Sequence, residues 1–119
     1  MSEVEFEVEF YKKEDGTKPA KDFIFSLEPK MKAKMLDMLK VLEANGNTLR
    51  EPFSKPLGNG IFELRCKFSN DITRVLYFFY DKGRIIVTNG FVKKTQKTPR
   101  KVIDLAEKYR DDFLERQGK

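Results

Sequence analysis

Residues 60–99 read GIFELRCKFSNDITRVLYFFYDKGRIIVTNGFVKKTQKTP and predict three consecutive strands. In residues 61–68, apolar side chains alternate with charged ones, which is typical of a strand with one apolar and one charged face. Residues 72–80 are apolar on both faces apart from Arg74, which favours a central strand covered on both sides. A turn of aspartate, lysine and glycine joins them to a third strand over residues 84–91. The stretch therefore predicts an antiparallel meander.

The segments on either side of this meander have different character. Thr98 and Pro99 predict the start of a last helix, because a hydroxyl suits the cap and proline suits the first turn. One apolar stripe is expected on this helix, formed by Val102, Leu105, Ala106, Tyr109 and Phe113. On the other side, residues 51–60 (EPFSKPLGNG) are rich in proline and glycine and predict a loop that contains Lys55.

The first part of the chain predicts one more strand and a pair of helices. Apolar residues alternate with glutamates over residues 3–10, the period of a strand with one buried face. Two helices are expected, one over residues 19–27 and one from Pro29 to about Ala44, each beginning with proline. The second helix carries an apolar row of Met31, Met35, Met38, Leu39 and Leu42. The predicted order is β-α-α-β-β-β-α in one α+β domain over residues 1–119.

Composition excludes several kinds of chemistry. The chain of 119 residues has no histidine, so catalytic triads that use imidazole and zinc sites of the Cys/His kinds are excluded. Its single cysteine, Cys66, cannot form an internal disulfide and is expected in the apolar core. The longest apolar run, residues 75–80, is far too short to cross a bilayer, and the first residues are acidic instead of forming a basic leader. We expect a cytoplasmic protein without membrane contact, metal or cofactor.

Positive charge is concentrated in one part of the sequence. The net charge is +5, and residues 60–101 alone hold ten basic and three acidic residues. Such a block is the electrostatic footprint expected for a polyphosphate partner, because each cation that meets a phosphate releases a counterion. An ordinary solvated basic face is the alternative.

The same stretch resembles the RelE/ParE toxin superfamily, particularly its HigB-like, phage-derived branch. The motifs that carry the resemblance are Lys55-Pro56-Leu57, Glu63-Leu64-Arg65, Arg74-Val75-Leu76-Tyr77, and Gly90-Phe91 followed by residues 93–99 and a helix. The resemblance implies a curved antiparallel sheet backed by the helical hairpin, with a C-terminal helix. It also implies the toxin of a type II toxin-antitoxin pair, which cleaves mRNA on the ribosome. Its partners would be the ribosome with mRNA and a helix-turn-helix, HigA-like antitoxin, with operator DNA bound only through the antitoxin complex.

Carried over to this sequence, the resemblance assigns catalytic and RNA-binding residues for metal-free cleavage. The candidate catalytic residues are Glu63, Arg65, Lys67, Arg74, Lys93 and Lys94. The candidate RNA-binding residues are Lys55, Tyr80, Lys97, Arg100 and Lys101.

The expected roles follow from the charges. Arg65 and Arg74 would stabilise the transition state, with Lys67 converging on the same phosphate as Arg65. Lys94 or Lys93 would act as general base, with a pKa depressed by neighbouring cations, and Glu63 is the competing base.

Alternative roles remain open for individual residues and for the whole chain. Arg74 could instead be a structural partner of Glu63, and Tyr80 could be a core residue. For the protein as a whole, the alternatives are a ParE-like poison of DNA gyrase and an inactive phage-derived protein that only binds nucleic acid.

Overall fold

The computed structural model describes residues 5–92 and 97–117. Five strands form one sheet: β1 (Glu7–Phe10), β2 (Ser54–Gly58), β3 (Ile61–Phe68), β4 (Asp71–Tyr80) and β5 (Arg84–Val92). Their spatial order is β1-β5-β4-β3-β2. Three α-helices are described, α1 (Pro19–Phe25), α2 (Pro29–Asn45) and α3 (Arg100–Gln117), and a 3₁₀ turn over Gly46–Thr48 follows α2. The architecture is mixed α and β, and at this coarse level it is consistent with a RelE-like fold.

The meander and the helical hairpin are confirmed. β3, β4 and β5 pair in antiparallel fashion in chain order, with β4 in the middle of the sheet. Both hairpin helices begin at their prolines, and α2 ends at Asn45, where Gly46 takes a φ of 55°. A side chain at that glycine would collide with the ring of Phe6, so glycine is needed for both the left-handed backbone and the close approach of this ring.

The predicted loop over residues 51–60 is wrong in part, because Ser54–Gly58 forms strand β2. This strand lies at the edge of the sheet and pairs only with β3. Proline is tolerated there because an edge strand needs hydrogen bonds on one side only, and the register shifts after Pro56. The glycine and proline residues thus predicted a loop where the chain forms an edge strand, and this strand carries Lys55.

The prediction of a wholly antiparallel sheet is also wrong. β1 runs parallel to β5, with Glu7 opposite Arg84 and Phe10 opposite Val87, so the sheet is mixed. A period of two identifies the buried face of a strand but carries no information about the direction of its neighbour. The face itself is as predicted, since Phe6, Val8 and Phe10 pack against the core.

Each face of the sheet has its own core. The hairpin covers one face, where Met31, Met35, Leu39 and Leu42 pack with Cys66 and other strand residues. Burial raises the pKa of the Cys66 thiol, in keeping with its expected place in the core.

Helix α3 covers the other face with Ile103, Ala106 and Phe113. Leu105, predicted in this stripe, is 37% exposed, because one residue turns a helix by about 100° away from Ala106. Among the described residues, no helix has the length and apolar character needed to cross a membrane.

Candidate functional site

A cleft of about 720 Å³ opens on the α3 face of the sheet, beside the edge strand β2. It is lined by Glu51, Lys55, Pro56, Leu57, Glu63, Arg65, Lys97, Thr98, Arg100 and Ile103. Four of these side chains are cationic and two are acidic. The cleft therefore collects positive charge from β2, β3 and the start of α3.

The alternation of β3 and its pairing with β2 explain why these side chains meet. Glu63 and Arg65 lie two residues apart and so face the same side of the sheet. Lys55 is opposite Glu63 in the register of β2 and β3, and residues paired across strands share a face. Lys97 and Thr98, just before α3, and Arg100, its first residue, line the same cleft.

Glu63 forms the floor of the cleft and is only 1% exposed. Its Oε2 accepts a hydrogen bond of 2.6 Å from Nε of Arg65, and its Oε1 accepts one from the hydroxyl of Thr98. Both carboxylate oxygens are therefore bound by protein groups. The ion pair fixes Arg65 at the mouth, where 24% of its side chain is exposed.

Arg74 lies behind this pair. It is opposite Arg65 on β4, its Nη1 donates to the Thr98 hydroxyl at 3.2 Å, and its guanidinium lies 5.7 Å from the centroid of the Phe91 ring. Burial lowers the pKa of Arg74; the Glu63 carboxylate opposes this shift and the Arg65 charge adds to it. Arg74 is only 1% exposed, so in this structure its guanidinium is covered and not open to a phosphate, contrary to the prediction. It reaches Glu63 through Thr98.

The other rim cations differ in their partners. Arg100 is paired with Asp104 at 2.8 Å and with Glu107 at 3.3 Å on its own helix, and its side chain is 62% exposed. Lys55 is exposed and has no ion-pair partner among the described residues. A cleft with cations at its mouth and a buried carboxylate beneath can bind a phosphodiester and hold a guanidinium against it.

Three of the predicted site residues lie elsewhere. Lys67 lies two residues after Arg65 on β3, is exposed, and lines a neighbouring depression. Lys101 is exposed on the first turn of α3, outside the lining of the cleft. Tyr80 lies at the far end of β4, about 20 Å along the strand from Arg74. Its ring packs on Phe113 and under the guanidinium of Arg84, so the structure does not bring it to the cleft.

The proposed general bases Lys93 and Lys94 lie outside the described residues. The central residue that sequence reasoning missed is Thr98, which was assigned to a helix cap. Its hydroxyl accepts a hydrogen bond from Arg74 and donates one to Glu63, and so bridges the two side chains. A hydroxyl before a proline indicates a cap, and only the packing of α3 on the sheet reveals the second use. No group of three or more potential metal-binding side chains occurs among the residues that the structure describes.

Comparison with known protein families identifies the family of this chain. The family described as Phage derived protein Gp49-like (DUF891) matches residues 22–111, which include the second half of α1, all of α2, strands β2 to β5 and most of α3. A search of curated proteins finds no match. Because the family match covers more than half of the chain, this protein belongs to the Gp49-like phage-derived proteins, a toxin-like family related to the RelE and HigB type.

Proposed function

We propose that this protein is the toxin of a type II toxin-antitoxin pair and that it cleaves mRNA on the ribosome without a metal ion. Membership of a toxin-like family supports the toxin role. The observation that carries the nuclease proposal is the cleft, in which Arg65 is held at the mouth by the buried Glu63, next to Lys55, Lys97 and Arg100.

Cleavage of RNA through its own 2′-hydroxyl requires three events. The hydroxyl loses a proton, the phosphate gains negative charge as the new bond forms, and the departing 5′-oxygen receives a proton. Arg65 suits the second task, since a guanidinium offers two parallel donors to phosphate oxygens. Lys55, Lys97 and Arg100 would bind the neighbouring phosphates.

The buried network gives Arg65 its orientation. Glu63 fixes the guanidinium through Nε, which leaves its terminal nitrogens for the phosphate. In this proposal Glu63 and Arg74 are positioning residues, because one is bound on both oxygens and the other is covered. The proton transfers are assigned to Lys94 or Lys93, since a neutral lysine can accept a proton and the protonated form can return one.

Induction of the protein in bacterial cells, followed by mapping of RNA 5′ ends, tests the proposal. We expect new 5′ ends inside translated messages. Arg65→Ala should lower their yield about 10²- to 10³-fold, the usual effect of losing one preorganised donor. Arg65→Lys keeps the charge without the planar fork and should recover only part of the activity.

Lys108 provides the matched control, because it is an exposed cation of α3 that does not line the cleft. Lys108→Ala should cleave like the wild type, and thermal melting should show that all variants fold. Intact messages in growth-arrested cells would overturn the nuclease proposal. Inhibition of purified gyrase in a supercoiling assay would then identify the gyrase alternative.

The proposed partners follow from the same charges. A helix-turn-helix antitoxin with an acidic segment would cover the cationic mouth and exclude RNA from it. Co-expression of a small helix-turn-helix reading frame from beside the gene should restore growth and yield a stable complex. Failure of both would remove the antitoxin from the proposal, and cleavage by the toxin alone would still test the enzyme.

A further inference from the structure

A second depression, of about 360 Å³, adjoins the cleft at the edge of β3 beyond the end of β2. Its lining comprises Lys34, Met38, Pro52, Phe53, Arg65, Cys66, Lys67 and Ile72. Arg65 lines both the cleft and this depression, so the two lie on either side of one side chain. The volume lies within the range of sites that hold small organic groups, about 300–1,000 Å³.

Phe53 presents an exposed ring on a fixed backbone. Its N–H donates to the Arg50 carbonyl at 3.0 Å, and its own carbonyl accepts from the N–H of Arg65 at 2.8 Å. The side chain is nevertheless 48% exposed. A rigidly mounted aromatic ring offers a flat apolar face to a ligand and loses little entropy when the ligand stacks on it.

Three cationic residues line the depression together with Phe53. Nζ of Lys34 donates to the carbonyl of Lys67 at 2.6 Å, which places its ammonium group at the rim, while the Lys67 side chain is exposed. Together with Arg65 they give three positive charges. An acidic residue is also nearby, since the charge of Asp37 contributes to the raised pKa of the Cys66 thiol in the floor of the depression. The combination of an apolar floor and a cationic rim suits a ligand that has a flat ring and a negative charge.

We propose that this depression is a nucleobase subsite, in which the base next to the scissile phosphate stacks on Phe53 and the following phosphate is bound by Lys67 and Lys34. The inference rests on the proposed RNA substrate and deepens it. Arg65 favours this ligand over an acidic peptide, because the guanidinium that would bind the scissile phosphate in the cleft also lines the depression. The site gives Lys67 a role outside the cleft.

Fluorescence can test the stacking directly, because the chain contains no tryptophan. Phe53→Trp introduces a single reporter, and a stacked base quenches its emission. A 2′-O-methylated RNA oligonucleotide serves as the probe, since it lacks the hydroxyl needed for cleavage. Phe25→Trp is the matched control: Phe25 is 50% exposed and has Lys21 and Lys32 near its ring, but it does not line the depression.

We expect quenching for Phe53→Trp and none for Phe25→Trp. Phe53→Ala should weaken binding about 10- to 100-fold, the usual loss when a base-stacking ring is removed, while Phe25→Ala binds like the wild type. Binding by the wild type with neither quenching nor weakening would overturn the subsite and leave the proposed function standing. Quenching by an acidic peptide but not by RNA would also overturn it.

Ribosome-programmed cleavage separates the remaining outcomes. If the free oligonucleotide does not bind but the wild type cleaves mRNA on ribosomes, the cleavage rate of Phe53→Ala decides. A loss of about 10- to 100-fold in this rate supports the subsite. A rate equal to that of the wild type overturns it. If the wild type neither binds RNA nor cleaves it, the proposed function fails and the subsite fails with it.

Discussion

Glu63 is the residue on which the geometry of the cleft depends. One carboxylate oxygen binds Arg65 of the same strand, and the other binds Thr98 at the approach to α3. Thr98 in turn binds Arg74. A buried carboxylate is costly without such partners. These contacts therefore hold together β3, β4 and the segment that leads into α3.

Glu63→Gln is expected to lower the free energy of unfolding by about 3 kcal/mol, because it leaves two arginines close together without their buried counter-charge. Urea denaturation measures the change. Asp104→Asn removes an exposed partner of Arg100 and should cost less than about 1 kcal/mol. Equal losses for the two variants would contradict the central place given to Glu63.

Tyr11 gives a pH-dependent prediction. Its hydroxyl donates to Asp112 at 2.5 Å, and burial, with the neighbouring carboxylate, raises the pKa of Tyr11 to about 12. In the unfolded chain a tyrosine loses its proton near pH 10. The raised pKa therefore stabilises the fold fully below about pH 10, and this contribution is lost as the pH rises toward 12.

Tyr11→Phe removes this contribution and should cost about 1–2 kcal/mol at neutral pH. The difference in unfolding free energy between wild type and variant, measured in urea at several pH values, should shrink between about pH 10 and 12. A difference that stays constant over this interval would contradict the assignment.

At the scale of elements, Gly90 sets the distance between α1 and the sheet. A Cβ at this position would lie 2.6 Å from ring atoms of Phe23 on α1 and 2.8 Å from the carbonyl oxygen of Arg74. Glycine is therefore needed on β5 for the close approach of α1 to the sheet.

Gly90→Ala should destabilise the protein by about 1–3 kcal/mol through overpacking. In a Phe23→Leu background the cost should be smaller, because the shorter side chain leaves room on one side. A double-mutant cycle in urea measures this coupling. The same cost in both backgrounds would show that the strand backbone at Arg74, and not the helix, resists the added methyl group.

The sequence predicted elements where one local signal dominates. Period-two alternation predicted β3, and prolines at the first turn predicted both hairpin helices. β2 was missed because proline and glycine disfavour strands in general, although an edge strand tolerates them. The direction of β1 depends on which strand lies beside it after folding, and no residue in β1 encodes that choice alone.

For the whole molecule, the charge of the cleft predicts how RNA binding responds to salt. The four lining cations alone would contribute about −2 to −3 to the slope of log K against log salt concentration, because each releases a counterion from single-stranded RNA. Anisotropy of a 2′-O-methylated oligonucleotide measures the slope. Lys55→Ala should make it shallower by about 0.7, and Lys108→Ala should leave it unchanged. A slope near zero would show that the cations do not contact phosphate.

The candidate site was predictable only in part. Arg65, Glu63 and Lys55 were nominated from the strand pattern and the resemblance, and all three line one cleft. The burial of Arg74 and the bridging role of Thr98 depend on how closely α3 lies against the sheet, which is a tertiary distance. For the same reason Tyr80, nominated by residue type, lies with the aromatic core.

The parallel pairing of β1 with β5 affects when the fold can be completed during synthesis of the chain. Glu7 can pair with Arg84 only after residue 84 has left the translating ribosome. Glu63 can bind the Thr98 hydroxyl only after residue 98 has done so. Both pairs join residues far apart in the sequence, so the sheet and the buried network of the cleft are completed only late in synthesis. A chain interrupted before residue 98 would lack the hydroxyl that joins Glu63 to Arg74.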